Sequence, residues 1–384
     1  MPGPLSGYRI VELAGIGPGP FAGMMLADMG AEVLRVDRAQ AVVADSPVPT
    51  VDVLGRGRRS VGVDLKSPQG PETVLRLVDT ADGLIEGFRP GVTERLGLGP
   101  EDCAKRNRRL VYGRMTGWGQ EGPYAPAAGH DINYVALSGT LSMIGQRGQP
   151  PAPPVNLIGD FGGGGMLLAF GMVCGMLEAS TSGEGQVIDA AMIDGAALLA
   201  AMVWGFKSAG FWGERGTNLL DGGAWYYGTY ETGDGGYVSF GSLEPQFYAE
   251  MLHITGLDVD VDGLGPLPKP GDRESWPVMR ERLAAIMKTR SRQQWCTVLE
   301  GTDACFAPVL SMDEAPGHPH MAQRGTFIDV GGVVQPAPAP RFSRTPGVVA
   351  GPSPRAGQDT DIALMDWGFS AGEIAKLRGS GSVR

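Results

Sequence analysis

Tyr8-Arg9-Ile10-Val11-Glu12-Leu13, then Gly15-Ile16-Gly17-Pro18-Gly19-Pro20, then Ala31-Glu32-Val33-Leu34-Arg35-Val36 make up the stretch that decides the fold. The first run is short and apolar and reads as a buried strand. The glycine-proline run reads as a loop and residues 21–29 as a helix ended by Gly30. The last run is a second strand, closing with Asp37-Arg38. Strand, helix and strand in that order form a βαβ unit, which builds a parallel sheet with helices on its faces. The alternation continues outward with a helix over 69–80 and strands over 83–86 and 110–115. A long helix follows from about 163 to 179, then a strand over 186–192 and a helix over 195–208. The fold class is therefore α/β.

The same loop spells Gly15-x-Gly17-x-Gly19, with Asp37 ending the next strand, and so invites a dinucleotide-binding reading. Its third glycine comes one position early for G-x-G-x-x-G. Pro18 and Pro20 also remove N–H donors where a pyrophosphate wants them. The loop reads better as a rigid turn with Pro20 at the start of a helix. A nicotinamide-dependent dehydrogenase is thus a remote alternative.

A chain of 384 residues exceeds the usual size of one core, so two domains are expected. Near residues 209–235 glycines and aromatic residues become dense. Two alternating strands follow, around 228–231 and 237–240, joined by the hairpin-like Thr232-Gly233-Asp234-Gly235-Gly236. Helices over 245–255, 277–288 and 291–300 complete a smaller α+β domain. Pro336, Pro338 and Pro340 mark a boundary or an extended edge. Ser370 caps a final helix over 370–378, with Glu373 at the capping-box position.

The net charge of -10 argues against nucleic acid or an anionic membrane as partner. Local cations can still meet a polyanion, and they cluster in the first hundred residues: Arg35 and Arg38; Arg56, Arg58 and Arg59; Lys66, Arg89 and Arg95. Cys103, Cys174, Cys296 and Cys305 show no CxxC or metal spacing, which fits reduced thiols in the cytoplasm and no metal site. No signal-type core opens the chain, and its end is not a peroxisomal address. The longest apolar stretch, 166–177, is too short and glycine-interrupted to span a bilayer.

Two residues stand out for proton chemistry. Only four histidines occur, and one of them, His130, sits in the polar hexapeptide Gly129-His130-Asp131-Ile132-Asn133-Tyr134. Histidine is the side chain that titrates nearest neutral pH. Asp160 opens the glycine run of Gly159-Asp160-Phe161-Gly162-Gly163-Gly164-Gly165. There it reads either as a helix N-cap or as a carboxylate beside backbone N–H groups able to hold an anion.

An ordered set of segments resembles the family III CoA-transferases (the CaiB/BaiF-like family) and, within it, the α-methylacyl-CoA racemases. The segments include Pro4-Leu5-Ser6-Gly7-Tyr8, Leu26-Ala27-Asp28-Met29-Gly30-Ala31-Glu32-Val33, Val63-Asp64-Leu65-Lys66 and Glu86-Gly87-Phe88-Arg89-Pro90-Gly91. Further along come Glu94-Arg95-Leu96-Gly97, Gly129 to Tyr134, Gly159 to Gly164, Glu244-Pro245-Gln246-Phe247-Tyr248 and Asp303-Ala304-Cys305-Phe306-Ala307-Pro308. Residues 39–54 depart from the pattern. The resemblance implies a Rossmann-like large domain over 1–208, a linker over 209–225 and a small domain over 226–325. Residues 326–384 would form the return linker and the C-terminal part of the large domain. It also implies an interlocked homodimer whose active sites combine the large domain of one chain with the small domain of the other.

The ligand implied is a CoA thioester, with no separate cofactor. Nucleotide and pantetheine contacts fall on Arg38, Val63, Asp64, Leu65, Lys66, Gly87, Phe88, Arg89 and Arg95. The thioester end falls on Gly129, Asp131, Ile132, Asn133 and Tyr134. In the racemase branch His130 and Asp160 exchange the α-proton from opposite faces, and the backbone N–H of Asp131 meets the enolate oxygen. Glu244, from the partner chain or the same one, orients His130, unless it is only a charge ahead of Pro245. Asn156 is a supporting hydrogen-bonding residue. In the transferase branch Asp160 is instead a nucleophile that passes through an aspartyl-CoA thioester. A non-catalytic CoA-binding protein is a third reading.

Overall fold

The structure is a computed structural model that describes residues 3–43, 51–258 and 267–384. Residues 44–50, inside the unmatched 39–54 stretch, lie outside the described residues.

Six parallel strands form one sheet: β1 (Arg9–Leu13), β2 (Glu32–Arg38), β3 (Arg59–Val63), β4 (Gly83–Glu86), β5 (Val111–Thr116) and β6 (Val187–Ala191). Their order is β3-β2-β1-β4-β5-β6. Side chains along a strand alternate between faces, so neighbouring residues enter different cores. Val11, Leu34, Val36 and Leu84 pack in one cluster with Val74 and Leu77 of α2 (Gly70–Val78). Ile10, Val33, Ile85 and Val111 pack in the other with Ala22 and Leu26 of α1 (Pro18–Asp28). Burial on both faces is why these strands read as nearly continuous apolar runs. From β1 the chain winds one way to β2 and β3, then returns to β4 on the other side. Loops leaving β1 and β4 therefore diverge and open a crevice at the carboxyl ends of the strands.

Short helices α3 (Val92–Arg95), α4 (Pro100–Arg106) and α5 (Asp131–Leu137) lie between β4 and β6. A π-helix, Leu157–Gly165, then runs directly into α6 (Met166–Ser182), and β6 is followed by α7 (Met192–Leu199). Three expectations are corrected here. The first helix starts at Pro18 rather than Phe21, with both prolines in its first turn. The long helix starts at Leu157, so Asp160 is not its N-cap but a residue of its first turn. The helix expected over 195–208 is two helices, α7 and α8 (Ala201–Ser208). The longer helical run changes one further reading. Leu157–Ser182, 26 residues at a mean hydropathy of 1.5, is long and apolar enough to cross a membrane. In the fold, its Leu168, Ala169, Met172 and Met176 pack in the sheet's core.

The chain forms two compact units. The first comprises Met1–Ser138, Pro154–Ala200 and Gly325–Arg384; the second, Gly139–Pro153 and Ala201–Arg324. The second unit carries an antiparallel sheet of β7 (Tyr227–Glu231), β8 (Tyr237–Gly241) and β9 (Phe306–Val309). With it are α9 (Pro245–Thr255), α10 (Trp276–Met287), α11 (Arg292–Leu299) and α12 (Pro319–Arg324). Its own core gathers Trp225, Tyr226, Tyr230, Phe240, Trp276 and Trp295. The returning segment forms the hairpin β10 (Phe327–Val330) and β11 (Val333–Pro336), then α13 (Thr360–Asp366) and α14 (Ala371–Gly379). Ala363, Leu364, Trp367, Ile374 and Val383 join the first unit's core, and Val383 bridges Val63 at the sheet edge. Ser370 caps α14 by accepting the Glu373 N–H at 3.3 Å.

Candidate active site

The crevice at the β1/β4 divergence holds a cleft of about 540 Å³. Its walls are the loop after β1 (Gly15 to Pro20), Gly87, Phe88 and Arg89 after β4, and Met115 to Trp118 at the end of β5. Gly129, His130, Tyr134, Asn156, Asp160 and Met192 complete it.

His130 is the exposed residue immediately before α5. The Asn133 carboxamide accepts the His130 N–H at 3.0 Å, which fixes the backbone from which the imidazole projects. Asp131 is the first residue of α5, so its N–H is one of the donors that helical geometry leaves without an intrahelical partner. Its side chain is buried, and Asp131 Oδ2 accepts the Asp160 N–H at 2.8 Å. Burial pushes the Asp131 carboxyl up from its ordinary range. The Asp160 and Gly159 N–H groups pull it back, and the nearby Asp160 charge raises it further. Asn156 Nδ2 donates to Asp160 Oδ2 at 3.0 Å. Imidazole and carboxylate thus stand on two separate elements that one side chain ties together.

The glycine run after Asp160 has a packing cause. A Cβ on Gly163 would lie 2.6 Å from Ala196 N, and one on Gly195 only 1.8 Å from Gly163 O. The π-helix and α7 cross backbone to backbone, which only glycine permits. A π-helical segment at a functional site is a recurring feature of helices.

The cations divide into two groups. Arg56 pairs with Asp28 at 2.6 Å, Arg35 with Asp37 at 2.7 Å, and Arg59 with Glu32 and Asp366. Arg58, wholly buried, pairs with Glu12. These arginines, which the sequence offered as cations able to meet a polyanion, are instead paired with acids of the protein itself. Arg38, Lys66, Arg89 and Arg95 are exposed, and none forms an ion pair with an acid among the described residues. Arg38 ends β2 beside Val63, the last residue of β3, and Asp64, Leu65 and Lys66 form the turn that follows. Arg89 follows β4 and lines the cleft, while Arg95 ends α3. These four cations, without an acidic partner among the described residues, end or follow β2, β3 and β4 in the chain and suit the phosphates of an anionic ligand.

Of the residues expected at the site, Gly87, Phe88, Arg89, Gly129, His130, Tyr134, Asn156 and Asp160 line the cleft. Arg38, Val63 to Lys66 and Arg95 lie outside its lining. Ile132 is exposed, and Asn133 serves the cap of α5. Glu244 stands in the second unit as the residue before α9.

Sequence reasoning missed three contributors. Gly17 adopts φ +68°, and a Cβ there would lie 3.4 Å from Asp160 Oδ2, so the glycine-proline loop borders the carboxylate directly. The Asp131 side chain is the second. The third is a buried network below the β4 loop, in which Glu86 accepts from Arg114 Nε at 2.9 Å and from the Phe88 N–H at 2.6 Å. Burial raises the Glu86 carboxyl above its usual range, while the Phe88 N–H and Arg114 act to lower it.

The sequence model of CoA-transferase family III matches residues 5–360. The chain is 45% identical over 376 residues to the α-methylacyl-CoA racemase of Mus musculus, covering 97% of this chain and 96% of that protein. It is 43% identical over 381 residues to the α-methylacyl-CoA racemase of Homo sapiens, with the same coverage of 97% and 96%. A crystal structure of a CAIB/BAIF family protein from Brucella suis shares the fold. Its TM-score is 0.83 at 24% identity, covering 96% of this chain and all of that one. With a match running from the first strand into α13, this chain belongs to CoA-transferase family III.

Proposed function

We propose that the chain is an α-methylacyl-CoA racemase, an isomerase that inverts the α-carbon of 2-methylacyl-CoA thioesters. The observation that carries the reading is the pairing of His130 with Asp160 around one cleft, in a chain 43–45% identical to such racemases. The α-proton of a thioester is acidic only because the resulting anion is shared with the carbonyl oxygen. One of the two residues removes that proton and the other returns one to the opposite face. The enolate oxygen receives the Asp131 N–H at the start of α5, where the helix dipole favours negative charge. Neither base is consumed: each turnover leaves one protonated and the other free, and proton exchange with solvent resets the pair for the next turnover. CoA arrives on the substrate, so the reaction calls for no separate cofactor. Arg38, Lys66, Arg89 and Arg95 hold its phosphates, and Asn156 holds the Asp160 carboxylate.

The active assembly is a homodimer in which the partner chain's Glu244 orients His130. The outer face of α6 supports this assembly: Met166, Phe170, Val173 and Leu177 form an exposed apolar stripe, with Phe170 66% accessible. The acyl group is left open; a branched chain, a bile-acid-like side chain or an arylpropionyl group suits an apolar wall that includes Met115 and Met192.

Proton NMR of one pure 2-methylacyl-CoA epimer in heavy water tests the reading. The α-hydrogen signal is expected to disappear as the two epimers equalise. Retention of the α-hydrogen, together with an irreversible hydroxylamine adduct on Asp160, would instead identify the transferase chemistry.

A further inference from the structure

We propose that the Asp131 side chain, distinct from its amide, is a positioning residue that holds Asp160 in register with His130; the proposal rests on the racemase reading. Asp131 directly follows His130, and its side chain points inward, with the residue only 5% exposed. Oδ2 accepts the Asp160 N–H at 2.8 Å. Gly159 is built around the contact, because a Cβ there would lie 2.4 Å from Asp131 Oδ2. Oδ1 is buried and has no hydrogen-bond partner among the described residues. Burying a carboxyl oxygen unpartnered is costly, so the group is not placed there for stability. Its one evident structural effect is to clamp the first turn of the π-helix to the first turn of α5. The first of those turns carries Asp160 and the second directly follows His130, the two residues that must face one α-carbon. A π-helix with four consecutive glycines has little side-chain packing of its own to set that register.

The test compares Asp131→Leu, Asp131→Ala, Asp131→Asn and Gly159→Ala in α-proton exchange in heavy water, with CoA binding measured separately. Leucine fills the space without an acceptor; asparagine restores the acceptor. We expect Asp131→Leu and Asp131→Ala to lose about 10²-fold in kcat, as misplacing a catalytic group does, with KM and CoA affinity within about twofold. Asp131→Asn is expected to recover most of the rate. Gly159→Ala strikes the same contact from the other side. The double variant Asp131→Ala/Gly159→Ala should be no slower than the worse single, since its clash partner is gone. The proposal is overturned if Asp131→Leu keeps wild-type kcat, if Asp131→Asn is as slow as Asp131→Leu, or if the two losses multiply. Should Asp131→Ala fail to fold, Gly159→Ala alone decides, and a wild-type rate there overturns it. A wild-type enzyme without exchange sinks the racemase reading itself and the proposal with it. Exchange in the wild type with unaffected variants sinks the proposal alone.

Discussion

Glu86→Gln asks whether the cleft's β4 wall is held by the charge beneath it. Glu86 is 1% exposed and Arg114 7% exposed. Glu86 gives one oxygen to Arg114 and the other to the Phe88 N–H, and Arg114 Nη1 also reaches Glu94 at 2.8 Å. Glutamine keeps the shape but replaces one acceptor with an NH₂ donor. That donor must face either the guanidinium or the Phe88 N–H. Breaking one side of a buried pair costs about 3–5 kcal/mol because it strands the other charge. Glu94, about half-exposed, still compensates Arg114, so the lower end of about 3 kcal/mol is expected. For a unit of this size that is a fall in Tm of roughly 6–12 °C. Losing the Phe88 anchor frees the Gly87–Arg89 wall, so KM for an acyl-CoA should rise by about tenfold, the worth of one charge-assisted contact, with kcat changed less. Calorimetry and steady-state exchange kinetics measure the two effects. Glu86→Leu combined with Arg114→Met should lose less stability than Glu86→Gln alone, since an apolar pair strands no charge. A Tm within about 2 °C of wild type and a KM within about twofold would show that Glu86 does not hold this wall.

Gly195→Ala should lower Tm by several degrees and reduce kcat. Its Cβ would meet Gly163 O at 1.8 Å, and the π-helix bearing Asp160 must move, at about 1–3 kcal/mol for overpacking. Arg38→Ala, Lys66→Ala and Arg95→Ala should each raise KM for the CoA thioester severalfold. KM for a pantetheine thioester lacking the nucleotide phosphates should stay level in side-by-side kinetics. Glu373 is held down to about 2 by hydrogen bonds from Arg76 and Ser370. A depressed carboxyl contributes stability above its ordinary value of about 4.5 and loses it as pH falls toward about 2. The Tm gap between wild type and Glu373→Gln should therefore close over that window in melts taken across the acid range.

What was legible in the sequence was local. β1, β2, β4 and β5 show as largely apolar runs because both faces of the sheet are buried along them, whereas the edge strand β6 is exposed at Val187 and Asp189. Ser370 with Glu373, and Pro245 opening α9, announce helix starts by their own chemistry. β3 escaped because it follows Arg58 and begins Arg59-Ser60, and the acids that neutralise these arginines, Glu12 and Glu32, lie far back in the chain. The start of the long helix escaped for a similar reason. The run Gly162 to Gly165 set the expected start near 163, and only the α7 backbone lying against the glycines explains a helical run that begins earlier, at Leu157. At the site, His130 and Asp160 stood out by residue type and surroundings. The inward carboxylate of Asp131 looks like any polar helix-start residue until the fold sets Asp160 above it. Sorting arginines paired with acids from unpaired ones likewise needed their distant partners.

The central claim is that His130 and Asp160 are the two bases of one proton relay. Its most direct test is deuterium incorporation and epimer composition, followed from each pure 2-methylacyl-CoA epimer with wild type, His130→Ala and Asp160→Ala. Wild type should convert either epimer to the same mixture with one deuterium at the α-carbon. Each variant should lose inversion by about 10²–10⁴-fold while still binding CoA. Inversion at the wild-type rate in either variant would contradict it.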